Sequence, residues 1–327
     1  IRKEVAIKVA GKSVNVLLYL PPEAAKRPVP VFVGLNFNGN HAVNADPGIR
    51  LAQVWSQDRQ TKAVAAKTAD EQSRAREAQR WQVEKILAHG YGLATVYYGD
   101  IEPDFDGMLR ESVRAAYLKP GETKVAAGEW GAIGAWVWGL SRVADYLATD
   151  KQVDSKRLAV MGHSRLGKTA LWAGATDPRF GIVISNDSGE GGAAISRRMF
   201  GETVKDLNTR FPHWFAPNYS KYNDRVQEMP FDSNMLMALI APRPLYIASA
   251  QEDQWADPKG EFLGGVAASP VYNLFGRKGI TTREMPGIHQ PVGDYVRYHV
   301  REGKHDVTAY DWEQFLAFAD RWWKPKK

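Results

Sequence analysis

The sequence contains no cysteine among its 327 residues, which excludes disulfides and thiolate metal sites. It also has no apolar run long enough to cross a bilayer as a helix, so no membrane span is expected. Its 43 lysine and arginine residues exceed the 37 acidic ones, but they are interspersed with acids and form no basic stripe, so no nucleic acid partner is expected. Hydrophobic residues make up 44% of the chain and charged residues 24%, as in ordinary globular proteins.

Apolar segments of strand length alternate with segments of helical periodicity along the chain. The stretch from Val29 to Leu35 is nearly continuous in apolar residues, as is the stretch from Tyr91 to Tyr98, and such runs are typical of strands buried in a parallel sheet. The alternation predicts an α/β fold with a doubly wound, mostly parallel sheet in a three-layer sandwich. We expect one domain spanning residues 1–327, with surface insertions near 46–75, 100–127 and 190–240.

Local patterns predict several further elements. Residues 3–9 and 13–20 alternate polar and apolar side chains, which indicates an antiparallel hairpin. The insertion at 46–75 is polar and compatible with helix. The last strand of the sheet is predicted at Thr281 to Met285, and a closing amphipathic helix is predicted from Thr308 to Trp322.

One segment has the pattern of a nucleophile elbow. An apolar run from Leu158 to Met161 predicts a buried strand, and residues 169–175 predict the start of a helix. Between them, small residues flank Ser164, and a tight turn at this point exposes the hydroxyl above a helix N-terminus. Leu166 stands where the common motif has its second glycine, and Gly167 follows one position later. Ser164 is therefore the candidate nucleophile.

A serine hydroxyl needs a base that accepts its proton. In α/β-hydrolases, the fold in which this elbow occurs, the chain order is serine, acid and then histidine. His305 lies in a glycine-bearing loop just before the predicted closing helix, where the base of such enzymes belongs. His289 directly follows the last predicted strand and is the alternative.

Two aspartates at predicted strand ends are candidates for the acid that orients the histidine. Asp187 follows the strand after the elbow, and Asp253 follows the next strand, the usual place for this acid. Both remain candidates, with Asp253 slightly ahead. The loop at residues 36–41, which helps to form the oxyanion hole in this fold, has a single glycine. Much of the oxyanion stabilisation is therefore expected from elsewhere in the chain.

The C-terminal half of the chain carries four segments in a fixed order. They are Gly162-His-Ser-Arg-Leu-Gly-Lys168, Asp187-Ser-Gly-Glu-Gly-Gly192, Asp253-Gln-Trp-Ala-Asp-Pro258 and Gly303-Lys-His-Asp-Val-Thr308. Together they resemble carbohydrate esterase family 15, the glucuronoyl esterases. The resemblance implies an α/β-hydrolase that cleaves esters of (4-O-methyl-)glucuronic acid, such as those that join xylan to lignin alcohols. It implies no metal and no organic cofactor, and the absence of the cysteines that fungal members use points to the bacterial branch.

The resemblance also implies roles for residues near the elbow. Ser164 would be the nucleophile and His305 the base, while Arg165 would stabilise the oxyanion with its side chain and backbone N–H. Members of the family differ in the place of the triad acid. Some have it at the position of Asp187 and others at that of Asp253, so the resemblance leaves both open.

For the sugar, the resemblance implies contacts from Lys168, Glu202 and Trp255.

Two alternative functions stay open at this point: an acetyl or feruloyl esterase on the same fold, and a carbohydrate-binding pseudo-hydrolase that binds without turnover. We expect a secreted or periplasmic bacterial protein that acts as a monomer on a glucuronate ester of xylan.

Overall fold

The computed structural model describes residues 1–324. The chain divides into two compact units. One consists of Ile1–Ser155 with His213–Pro217, and the other of Lys156–Pro212 with the chain from Asn218 onward. The expectation of a single catalytic domain with three insertions stays a prediction. No helix among the described residues is both long and apolar enough to span a membrane.

The first unit contains six strands and three helices. They are β1 (Arg2–Val9), β2 (Lys12–Tyr19), β3 (Val29–Asn36), β4 (Gln53–Gln57), β5 (Val64–Thr68), α1 (Ala78–Trp81), α2 (Val83–Ala88), β6 (Gly92–Tyr97) and α3 (Ala132–Thr149). Strands β1 and β2 form the predicted antiparallel hairpin. β2 pairs antiparallel with β6, which runs parallel to β3. Every residue of β3 and β6 is buried, as expected of nearly continuous apolar runs.

Residues 53–68, within the predicted insertion at 46–75, form a β-hairpin, so the prediction that this stretch is compatible with helix is wrong. β4 and β5 pair antiparallel over their full length. Asp58 closes the turn between them, because its Oδ1 accepts a hydrogen bond from the backbone N–H of Thr61 at 2.7 Å. The indole N–H of Trp55 donates to the carbonyl oxygen of Gly99 at 3.1 Å. Turn chemistry and a tertiary contact thus outweigh the weak helical preference of this polar stretch.

The second unit contains five strands and five helices among its described residues, and its first strand begins three residues ahead of it, at Val153. They are β7 (Val153–His163), α4 (Arg165–Thr176), β8 (Phe180–Asn186), α5 (Val204–Arg210), α6 (Ser233–Ala238), β9 (Leu245–Ala250), α7 (Pro258–Leu274), β10 (Val292–Gly293), β11 (Val296–Arg301) and α8 (Ala309–Trp323). β7, β8, β9 and β11 are parallel neighbours in that order, and β10 pairs antiparallel with β11. The carboxyl ends of these parallel strands share one edge. The segments that follow them carry Ser164, Asp187, Asp253 and His305.

Helices cover both faces of the sheet in the second unit. Val183 on β8 packs against α4, where a Cβ on Gly174 would lie 2.3 Å from Val183 Cγ2. Tyr246 on β9 packs edge-to-face on Phe318 of α8, with ring centroids 5.0 Å apart. Tyr246 lies opposite Ile184 in the ladder, and successive strand residues point to opposite faces. The helices α4 and α8 therefore lie on opposite faces, which gives the predicted order of helix, sheet and helix.

The last strand of the described chain is β11, so the prediction of a strand at Thr281 to Met285 is wrong. Residues 281–285 form bends and irregular backbone. The apolar residues of β11 are buried, and the polar residues His299 and Arg301 of the same strand are buried as well. Both contact Asp311 on α8, at 2.9 Å from His299 Nε2 and 2.7 Å from Arg301 Nε. In β11 polar residues alternate with apolar ones, and in sequence such a pattern indicates one solvated face. The sequence therefore contained no sign that this strand is buried on both faces.

Candidate active site

Ser164 occupies the turn between β7 and α4 with φ 59° and ψ −131°. A positive φ is rare for a residue with a side chain, and it is the backbone geometry of a nucleophile elbow. A Cβ on Gly162 would lie 1.8 Å from the carbonyl oxygen of Leu166, and a Cβ on Gly167 would lie 3.0 Å from Ser188 Cβ. Glycine is therefore required at 162, and the second close approach falls at 167.

His305 and Asp253 are brought together beside this elbow. His305 lies in the loop between β11 and α8, and its Nδ1 is 2.5 Å from Asp253 Oδ2. The side chain of Asp253 is 7% exposed and that of His305 is 42% exposed, so a buried carboxylate holds an accessible ring. The imidazole centroid of His305 lies 4.4 Å from that of His163, the residue immediately before Ser164. This arrangement can orient an imidazole as a general base next to a serine.

His289, the alternative base, has different surroundings. Its ring packs on Tyr310, with centroids 4.2 Å apart. Its backbone N–H donates to the carbonyl oxygen of Val300 at 2.9 Å, which attaches this loop to β11. The structure therefore gives His289 an aromatic neighbour, whereas it gives His305 a carboxylate.

Asp187, the other candidate acid, is buried just after β8. Its Oδ1 accepts a hydrogen bond from the backbone N–H of Ala250 at 2.7 Å, and its Oδ2 lies 3.5 Å from Arg301 Nη2. Burial raises the pKa of Asp187 well above its usual value. Potential ligand atoms of Asp187, Asp253 and His305 lie within 4.8 Å of one another, so these side chains are also of the types and spacing that can hold a metal ion.

The three residues that the resemblance assigns to the sugar form one hydrogen-bonded chain. Lys168 on α4 is buried, and its Nζ donates to the carbonyl oxygen of Ser188 at 2.7 Å and to Glu202 Oε2 at 3.2 Å. Glu202 Oε1 accepts from Trp255 Nε1 at 3.2 Å. The Trp255 side chain is largely accessible, with the residue 46% exposed. A cation, a carboxylate and a partly exposed indole are thus held together, and groups of these kinds can bind sugar hydroxyls.

Arg165, the residue after the elbow serine, begins α4. Its guanidinium carbon lies 5.5 Å from the ring centroid of Phe211, within cation–π range. Arg210 contacts two rings, with its Cζ 5.4 Å from the centroid of Phe211 and 5.5 Å from that of Trp255. Sequence reasoning missed Phe211 and Arg210 as neighbours of the site. They lie in residues 190–240, the third predicted insertion, where the sequence pattern is weak and tertiary packing decides their place.

Glu261 on α7 is a buried support that sequence reasoning also missed. Its Oε1 accepts from the backbone N–H of Ser188 at 2.7 Å, and its Oε2 accepts from the Ser249 hydroxyl at 2.5 Å. Burial raises the pKa of Glu261 to about 7. The carbonyl oxygen of Ser188 accepts a hydrogen bond from Lys168 Nζ. Glu261 therefore stabilises the loop that Lys168 contacts. The sequence signal that could have located this helix was Asp257-Pro258, which are its N-cap and a proline at its first position.

Comparisons with known proteins place the chain in a family. Residues 125–276 match the family model described as glucuronyl esterase, fungi. Carbohydrate esterase MZ0003, from an unknown prokaryotic organism, is 49% identical over 324 residues, which cover 98% of this chain and 74% of that protein. A promiscuous CE15 esterase from a marine bacterial metagenome is similar at 48% identity and a TM-score of 0.87, over 98% of this chain and 81% of that one. The chain belongs to carbohydrate esterase family 15.

A second family 15 structure is similar over almost the whole chain. The glucuronoyl esterase from Solibacter usitatus shares 59% sequence identity with a TM-score of 0.94, over 98% of this chain and 82% of that one. The predicted membership of family 15 and the predicted α/β-hydrolase fold are therefore confirmed.

Proposed function

We propose that this family 15 esterase hydrolyses esters of (4-O-methyl-)glucuronic acid through an acyl-enzyme. Ser164 is the nucleophile, His305 the general base and Asp253 the acid that orients it. The observation that carries the proposal is the 2.5 Å contact between His305 Nδ1 and Asp253 Oδ2, formed beside a serine in elbow geometry. The Solibacter usitatus relative, named a glucuronoyl esterase, supports the choice of ester.

Asp253 fixes the imidazole tautomer in this mechanism. With Nδ1–H donated to Asp253, Nε2 of His305 accepts the proton of the Ser164 hydroxyl as its oxygen attacks the C6 carbonyl of the uronate. The tetrahedral intermediate collapses, and the alcohol leaves with the proton returned by Nε2. Water then attacks the acyl-enzyme and gives a proton to the same nitrogen. The second tetrahedral intermediate collapses, Nε2 returns that proton to the Ser164 oxygen, and glucuronate leaves.

Arg165 stabilises the negative charge that develops on the carbonyl oxygen. Its backbone N–H stands at the N-terminus of α4, and the helix dipole favours an anion there. Its guanidinium is restrained over Phe211, so it is held in place before the charge appears. Losing one such donor typically lowers kcat by about 10²- to 10³-fold.

Lys168, Glu202 and Trp255 form the sugar subsite in this proposal. Their hydrogen-bonded chain presents donors and acceptors to ring hydroxyls, and the exposed indole of Trp255 offers an apolar face to a sugar ring.

We also propose that the physiological esters are those between glucuronoxylan and lignin alcohols, and that the protein is a secreted or periplasmic monomer. Such polymers are too large to enter a cell, which supports a place outside the cytoplasm. Immunodetection in culture fluid, periplasm and cytosol tests the compartment, and size-exclusion chromatography tests the monomeric state.

The test of activity compares Ser164→Ala with Ser56→Ala, which alters an exposed serine on β4. Release of benzyl alcohol from benzyl glucuronate is expected to be lost in the first variant and unchanged in the second. Turnover that survives Ser164→Ala would end the proposal. Wild-type preference for acetylated xylan or aryl acetates would favour a simple acetyl or feruloyl esterase, and saccharide binding without turnover would favour a pseudo-hydrolase.

A further inference from the structure

Arg301 binds the loop that carries His305. It is the last residue of β11 and is 2% exposed. We call residues 302–306 the His305 loop. Nη1 of Arg301 donates to the carbonyl oxygens of Glu302 and Lys304 at 3.0 and 3.1 Å, and Nη2 donates to the carbonyl oxygen of Asp306. One buried guanidinium therefore holds three of the five peptide carbonyls in this loop.

Two of these carbonyls belong to the residues on either side of His305, so the backbone is fixed immediately before and after the imidazole. The ring itself is 42% exposed, so its position depends on its backbone as well as on its contact with Asp253. The loop is also attached to the segment of the acid, since the backbone N–H of Glu252 donates to the carbonyl oxygen of Gly303 at 3.0 Å. Asp253 is the next residue in that segment.

The same guanidinium lies against two buried carboxylates. Its Nε donates to Asp311 Oδ2 at 2.7 Å, and its Nη2 lies 3.5 Å from Asp187 Oδ2. Arg301 therefore combines a charge, which both aspartates require in the interior, with a planar set of donors, which the three carbonyls require. A lysine supplies the charge, but its three donors lie on one nitrogen and do not reproduce the planar fork of arginine.

We propose that Arg301 is the positioning residue of the general base. Its planar donors hold the His305 loop in the shape that brings His305 Nδ1 onto Asp253, and its charge keeps Asp187 and Asp311 compensated. This inference rests on the proposed function, in which His305 is the base.

The test uses Arg301→Lys, because a methionine at 301 would leave two buried carboxylates without a cation and endanger folding. The matched control is Arg243→Lys. Arg243 also donates to three carbonyl oxygens, those of Gly174, Asp177 and Phe180, but it stands before β9, at the amino end of the strand that Asp253 follows. Circular dichroism and thermal melting establish that both variants fold.

With benzyl glucuronate, Arg301→Lys is expected to lower kcat about 10²-fold, the cost of a catalytic group misplaced by about 1 Å. KM stays within about twofold, because the sugar subsite is untouched. Arg243→Lys is expected to keep both constants within about twofold of wild type. A kcat loss in Arg301→Lys no larger than that in the control, or a matching rise of KM, would overturn the proposal.

A measurement without substrate separates this inference from the proposed function. The Nδ1 proton of His305, bound to Asp253, gives a downfield ¹H NMR resonance that is identified by its loss in His305→Ala. We expect it to move upfield or broaden in Arg301→Lys and to stay in Arg243→Lys. An unchanged resonance in Arg301→Lys refutes the positioning role. If wild type fails to cleave glucuronate esters, the proposed function falls, while this resonance still decides what Arg301 does.

Discussion

Neutralising the acid that contacts His305 is expected to disable the enzyme while leaving its fold intact. Asp253→Asn replaces a carboxylate that is 7% exposed and lies 2.5 Å from Nδ1 of His305. The amide neither stabilises the imidazolium formed in the reaction nor enforces the tautomer with hydrogen on Nδ1. We expect kcat to fall by about 10³- to 10⁴-fold, which corresponds to about 4 to 5.5 kcal/mol of transition-state stabilisation.

Asp187→Asn is the matched comparison, because it makes the same chemical change on the neighbouring acid. The asparagine oxygen can still accept the hydrogen bond from the backbone N–H of Ala250, which is 2.7 Å long in the wild type. The hydrogen bond of Asp187 is made with this backbone N–H, whereas the imidazole of His305 contacts Asp253. We therefore expect a kcat loss below about tenfold.

Steady-state hydrolysis of benzyl glucuronate at pH 7 measures both variants, with kcat and KM determined separately. Near-wild-type turnover by Asp253→Asn, together with inactive Asp187→Asn, would assign the acid to Asp187 and refute the reasoning from the hydrogen bond. Equal and modest losses in the two variants would mean that the acids share the role, and would refute a dominant Asp253 as well.

Three further changes follow from the same structure. Lys168→Met removes the cation bound to Glu202, so KM for glucuronate esters should rise about tenfold or more with a smaller change in kcat. Gly162→Ala places a Cβ 1.8 Å from a backbone oxygen, whereas in Gly181→Ala the nearest atoms lie at 3.8 Å; thermal melting should show a loss of about 3 kcal/mol or more for the first only. Glu261→Gln removes a carboxyl whose pKa rises from 4.5 to about 7 on folding. The protonated form favours the folded state, so wild-type stability relative to this variant is greatest below pH 4.5 and declines by about 3 kcal/mol as the pH rises through 7.

Each of these expectations has an opposite result. A fall in kcat at constant KM for Lys168→Met would remove Lys168 from the sugar subsite. Equal melting temperatures for the two glycine variants would contradict the close approach at the elbow. Urea unfolding of wild type and Glu261→Gln at pH 4, 6 and 8 would count against the raised pKa if the stability difference stayed constant.

Several parts of the site could be predicted from sequence because their signals are local. The elbow needs small residues between an apolar strand and a helix, and these all lie between residues 158 and 175. His305 is placed by chain order, in a loop before a helix with an N-cap and capping box at Thr308. Such features depend on neighbours in the chain, so the sequence carries them without knowledge of the packing.

Other parts depended on residues that are distant in the chain. Asp187 and Asp253 both follow parallel strands, and only the packed loops show that Asp253 reaches His305. Strand β11 escaped prediction because His299 and Arg301 are polar residues with a buried partner on α8.

By itself, then, the sequence determined the nucleophile candidate, the base candidate and the segments that hold the candidate acids and the candidate sugar contacts. The tertiary structure alone decided which carboxylate meets the imidazole, and that Arg301 holds the loop that carries His305. The physical reason is that a hydrogen bond between side chains 52 positions apart depends on the register of parallel strands and on buried charges, which act through space.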